Sequence, residues 1–169
     1  MSDARAGIHP VIRPRPEAIV VTCSDPRFQP AFDGLVADLA LAEGRSIRIA
    51  IAGGGWTLLN PFTLPTKDFT VVKDCVELHR RGCDAVRRLI LVIHDDCIWY
   101  QHAATKPGFR GKPDDRSLGE YVGDAVAILA VHLGPALAIE VYRAGFHDDA
   151  HTQHPESDQL RGDVRGDVA

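Results

Sequence analysis

The sequence predicts a single α/β domain with helices packed on both faces of a mainly parallel sheet, a three-layer αβα arrangement with strand order 2-1-3-4. Three observations carry this. Apolar runs of strand length recur at 18–22, 47–51, 89–93 and 136–142. Stretches with helical apolar spacing alternate with them. The first and third runs are apolar almost throughout, as in strands covered on both faces.

In chain order, residues 1–17, with Pro10, Pro14 and Pro16, read as an extended arm, loose or packed on a partner subunit. The α/β domain spans residues 18–147. After the first strand, Pro30 opens a helix on which Phe32, Leu35, Val36 and Leu39 share a face, and Gly44 supplies a stop. The second strand leads into Ala52-Gly53-Gly54-Gly55-Trp56, where glycines allow close backbone approach or positive φ. Asn60-Pro61 and Leu64-Pro65 mark a loop. A helix follows from about Thr66 or Asp68 to Arg81, with Phe69, Val72, Val76 and His79 on one stripe. The third strand, Leu89–Ile93, is followed by a polar excursion over 98–116. Ser117 and Glu120 have capping-box spacing, so a helix should run to about Leu133. The fourth strand covers 136–142, and residues 148–169 form a polar tail expected to be mobile or partner-bound.

The most economical strand order takes the chain one way from strand 1 and back across it. The switch point then lies between the C-terminal ends of strands 1 and 3, where open α/β sheets bind ligands.

At 169 residues, with 45% hydrophobic, the chain suits one core. A net charge of −4 without a Lys/Arg block argues against nucleic acid as a partner and for a small molecule. No apolar run approaches a membrane span and the N-terminus lacks a signal-peptide core, so the expected location is cytoplasmic, without membrane attachment. Four scattered cysteines do not suit a disulfide scaffold, which favours metal or catalytic readings for thiols at strand ends.

Two such ends stand out. Cys23-Ser24-Asp25-Pro26-Arg27 follows the first strand and His94-Asp95-Asp96-Cys97 follows the third. Adjacent strands lie about 4.8 Å apart, so Cys23, His94 and Cys97 can converge on one zinc ion. The fourth corner is left for water or for Asp25. Each cysteine alone reads more often as a small buried side chain, and Asp25 with Arg27 reads also as a structural ion pair. The functional reading has Arg27 holding Asp25 ionised beside the metal site. Cys75 with His79 reads as helix packing. Cys83 reads as a half-buried thiol, and the histidines at 147, 151 and 154 as a solvated stretch. Gly53–Gly55 lacks the residues of a phosphate loop, and a cysteine phosphatase needs Arg where Gln29 stands.

Cys-x-Asp-x-Arg after the first strand, Ala-Gly-Gly after the second and His-x-x-Cys after the third resemble the β-class carbonic anhydrases, over roughly residues 18–142. The resemblance implies Cys23, His94 and Cys97 as zinc ligands and Asp25 with Arg27 as the Asp-Arg dyad. It places the Gly53-Gly54 turn beside the substrate pocket. It also implies zinc-dependent reversible hydration of carbon dioxide to bicarbonate in a homodimer or larger homo-oligomer, with the pocket at a subunit interface. In that family Asp25 could itself close the site by ligating zinc. The chain departs from the family at Pro26, usually Ser, at Ile93 and Ile98, usually Gly, and at Ala50-Ile51, usually Arg-Asn. Phe28, Trp56, Ile93 and Ile98 are therefore candidates to line a reshaped pocket, and His102 is a weak candidate for proton export. Those departures leave two alternatives. One is a zinc hydrolase of another small linear molecule such as carbonyl sulfide or carbon disulfide; the other is a zinc-binding homologue without turnover.

Overall fold

β1, Ala18–Cys23, is buried along its whole length because it is an interior strand, paired on both sides. β2, Ser46–Ile51, and β3, Arg88–His94, flank it in parallel; Cys23 pairs with Ile51 on one side and Val21 with Leu91 on the other. β4, Ala138–Asp149, continues the parallel set beside β3. The four parallel strands thus run 2-1-3-4, as the sequence predicts. The computed structural model describes residues 15–41, 44–59, 67–103, 118–149 and 152–160. Most of the arm, Ser117 of the capping box, the excursion over 104–116 and the tail beyond 160 lie outside them.

Two elements differ from the sequence reading. β4 runs on to Asp149, and Thr152–Leu160 returns as an antiparallel β5, giving the order β2-β1-β3-β4-β5. Such an edge pairing rests on backbone hydrogen bonds and needs no apolar run. It also tolerates Pro155, which cannot donate to a ladder. The first helix, α1, Gln29–Asp38, stops well before Gly44. Ala40 takes a left-handed φ of 54°, while the amides of Ala40 and Leu41 donate to the carbonyls of Ala37 and Val36. This is a Schellman stop with alanine in the usual glycine place. It is held by Leu41, which is buried in the core.

α2, Lys67–Gly82, and α4, Leu118–Leu133, complete the crossovers. α2 buries Phe69, Val72 and Val76; α4 buries Val122, Ala125, Val126 and Leu129. Together with β1 and β3, both covered on each face, they form one continuous core. A short helix, α3, Ile98–Ala103, starts directly after Cys97. No helix among the described residues is long and apolar enough to cross a membrane.

Across β3 and β4, Arg88 makes a two-pronged contact with Glu140, at 2.6 and 2.9 Å, and the Tyr142 hydroxyl donates to the same carboxylate. The Arg88 hydrogen bond holds Glu140 below the usual carboxylate range. The folded-state pKa is the depressed one, so this stabilisation is complete above the unfolded value of about 4.3 and fades as pH falls through the folded value. Glu140→Gln should therefore cost about 2 kcal/mol at pH 7. Thermal melts should show the gap to the wild type closing on acidification below about pH 4.

Candidate metal centre

The end of β1 and the end of β3 meet where the topology reverses, and three potential ligands meet with them. The sulfurs of Cys23 and Cys97 and a ring nitrogen of His94 all lie within 4.8 Å of one another, and all three residues are buried. His94 closes β3 and Cys97 follows a two-residue turn. Arg143 of β4 braces that turn with a fork onto Asp95, at 2.7 and 2.9 Å.

Several contacts fix the His94 ring. Phe28 packs against it, tilted by 33°, at a centroid distance of 4.3 Å, and the Trp56 indole donates to the His94 carbonyl at 3.2 Å. Nδ1 lies 3.2 Å from an Asp96 carboxylate oxygen. Nε2 is buried without a hydrogen-bond partner. With Nδ1–H donated to Asp96, the Nε2 lone pair is the free one. A buried polar atom without a partner is costly unless something occupies its lone pair.

The sulfurs are equally asymmetric. A hydrogen bond from Cys97 is the main reason the Cys23 thiol is brought down to about 4, against the opposing effect of burial and with help from His94. Cys23 therefore carries a thiolate at neutral pH. Cys97 donates to that thiolate, and both this bond and burial push its own pKa up. Burial works against charge on His94, but Cys23 and Asp96 outweigh it and raise the ring's pKa. Two sulfurs and one imidazole nitrogen, buried within 4.8 Å of one another, fit a zinc ion with one corner left open.

Asp25 stands beside this group through its place in the chain. It is the N-cap of the 3-10 turn Pro26–Phe28, and its carboxylate accepts from the Arg27 amide at 3.0 Å. The Arg27 guanidinium grips the same carboxylate through Nε and a terminal nitrogen, the latter at 2.6 Å. These bonds hold Asp25 below the ordinary carboxylate range and raise Arg27. Gln29 donates to the carbonyls of Cys23 and Asp25 and so pins the loop from the α1 side.

The group opens onto a cavity of about 640 Å³ lined by Cys23, Ser24, Asp25, Pro26, Arg27, Ala52, Gly53, Cys97, Ile98, Trp99 and His102. Of the pocket residues expected from the sequence, Gly53 and Ile98 line it, and Ile98 is 70% exposed. Phe28, Gly54 and Trp56 lie behind the Cys23, His94 and Cys97 group instead. Phe28 and Trp56 are core residues that pack against the His94 ring and carbonyl, and Gly54 packs on the backbone of Cys23. Ile93 is fully buried. Trp99, which the sequence reading passed over, packs over Gly53 and forms the wall. Its signal was available: it stands in the first turn after Cys97, beside the expected site.

No family model matches this sequence, and no curated protein is similar to it. Solved structures similar to this chain include a β-carbonic anhydrase of Aspergillus fumigatus, at 14% identity and a TM-score of 0.47 over 88% of this chain and 77% of that one. β-Carbonic anhydrase isoform I of Trichomonas vaginalis is 18% identical, with a TM-score of 0.46 over 88% of this chain and 87% of that one. A tetrameric β-carbonic anhydrase of Sordaria macrospora is 12% identical, with a TM-score of 0.44 over 84% of this chain and 81% of that one.

Proposed function

We propose that the protein is a zinc lyase that hydrates carbon dioxide reversibly to bicarbonate. The observation that carries this is the convergence of Cys23, His94 and Cys97, with Nε2 of His94 unpartnered, at the foot of a cavity walled by the Asp25–Arg27 pair. The resemblance of these five residues to the β-class carbonic anhydrase motifs supports the choice of reaction. Zinc held there would supply hydroxide at neutral pH, by lowering the pKa of a water from 15.7 to about 7.

The chain's own residues do the rest. Arg27 keeps Asp25 ionised, so Asp25 is an acceptor only. From the cavity wall it would accept the hydrogen bond of an O–H held at the open corner of the site. Ala52, Ile98 and Trp99 offer apolar surface to an uncharged linear substrate. His102, on the cavity wall and exposed, is placed to pass the released proton to solvent. The cavity's open side and the exposed Ile98 suit closure by a second copy of the chain, which sedimentation analysis would detect as a dimer or larger.

The zinc-loaded protein should hydrate carbon dioxide in stopped flow well above the buffer rate. Zinc bound with no rate above buffer would overturn the reading. Ile98 stands where the family usually has Gly, and carbonyl sulfide or carbon disulfide are the competing substrates. Sulfide release without carbon dioxide hydration would select them. Asp25→Asn should lower kcat/KM about 100-fold, the low end of what one positioned proton-accepting group contributes, while zinc content stays near that of the wild type.

A further inference from the structure

We infer that Asp96 is a positioning residue that ties the metal ligand His94 to the Asp25–Arg27 pair, so that the two strand-end motifs form one mechanical unit. One Asp96 oxygen lies 3.2 Å from Nδ1 of His94, and the other accepts from Arg27 at 2.7 Å. The Arg27 nitrogens not spent on Asp96 grip Asp25. A continuous path therefore runs from the β1 end through Asp25, Arg27 and Asp96 to the His94 ring at the β3 end.

Each arm has a separate consequence. The His94 arm fixes the ring's rotation and holds the proton on Nδ1, which keeps the Nε2 lone pair aimed at the two sulfurs. Carboxylate partners of ligating histidines typically contribute 10- to 100-fold in metal affinity. The Arg27 arm anchors a guanidinium that is otherwise half exposed. With Arg27 held from both sides, Asp25 keeps its carboxylate on Arg27 and is restrained from swinging towards the ligand group.

Asp95 is the built-in control. It is the adjacent acid and carries the same formal charge, but its carboxylate goes to Arg143 on β4 and is involved in neither arm.

The inference rests on the zinc reading above, and the test separates the two. Zinc affinity is measured by competition with a chromophoric chelator for the wild type, Asp96→Ala, Asp96→Asn and Asp95→Ala. In parallel, 15N NMR follows the Nδ1–H of His94 and the Nη1–H of Arg27, the two groups that face Asp96. We expect Asp96→Ala to bind zinc at least 10-fold more weakly and to lose both slowly exchanging protons. Asp96→Asn, which leaves an oxygen for Nδ1, should recover most of the affinity but not the Arg27 signal. Asp95→Ala should stay within about threefold of the wild type, less than an outer-shell ligand partner contributes. Wild-type affinity in Asp96→Ala overturns the inference, as does an equal loss in Asp95→Ala, which would make the effect one of charge. A wild type that binds no zinc overturns the zinc reading itself.

Discussion

Cys97→Ser should leave the purified protein with almost no zinc. Metal analysis of the wild type should return close to one ion per chain, and the variant less than a tenth of that. A serine hydroxyl neither ionises near neutral pH nor offers zinc a soft donor, so the site falls from three protein ligands to two. The loss should exceed the ~10- to 100-fold that removal of an outer-shell partner produces. The fold should survive, because β1 and β3 are buried by their own apolar side chains and by helices on both faces. Far-UV circular dichroism of the variant should therefore match the wild type. Zinc retained in full would remove Cys97 from the ligand set.

The proton inventory gives the same site a pH signature. Cys23 is already a thiolate above about pH 4, whereas Cys97 keeps its proton through neutrality, since it donates to the Cys23 sulfur and is buried. The raised pKa of His94 adds a second group that binds metal only when its coordinating nitrogen is unprotonated. Zinc must displace at least the Cys97 proton, so affinity rises with pH and the ion is released on acidification. Calorimetry in buffers of different ionisation enthalpy should count one or more protons leaving per zinc bound at pH 7.

How much of this was legible in the sequence follows from which forces set each element. The four parallel strands and their order could be read because each buried strand must be apolar, and because short crossovers leave few topologies. The convergence of Cys23, His94 and Cys97 could be read for a related reason: they are the polar or soft residues at the ends of apolar runs, and strand order alone makes them neighbours. The stop of α1 at Ala40 could not, since alanine at positive φ has no sequence signature and is held by the burial of Leu41. β5 was missed because edge pairing is written in backbone hydrogen bonds. Asp96 was passed over for a different reason. Reading His-x-x-Cys as a spacing treats the two residues between as filler, yet their carboxylates point in opposite directions, one to Arg143 and the other to Arg27 and His94. Phe28 and Trp56 were expected at the pocket on the strength of size and proximity. Their rings are instead needed under the site, where they immobilise the His94 ring and carbonyl.

Gly54→Val should be the most destabilising single change near the site that leaves every ligand in place. Gly54 has φ +52°, and a Cβ built on it would lie 2.4 Å from the Cys23 nitrogen and 2.8 Å from the Thr22 carbonyl carbon. Both atoms are backbone of β1, which is paired on each side and buried along its length, so the strand cannot move aside. A left-handed conformation at a β-branched residue costs about 1–3 kcal/mol by itself, and the clash adds to it. A total of roughly 4 kcal/mol lowers the melting temperature by about 10 °C in a domain of this size. Two companion variants show whether the cause is this contact. Gly53→Ala meets the ring of Trp99 and the Thr57 hydroxyl, at 2.7 and 2.8 Å. Trp99 is a side chain on the cavity wall and can shift, so this variant should lose less stability but change the cavity. Gly34→Ala, in the middle of α1 with nothing within 4 Å of the new methyl group, should be neutral or stabilising by up to about 1 kcal/mol. If Gly54→Val melts like Gly34→Ala, the glycine turn does not rest on β1 as described. If instead it melts early, its zinc affinity should fall as well, because the clash bears on the backbone of Cys23.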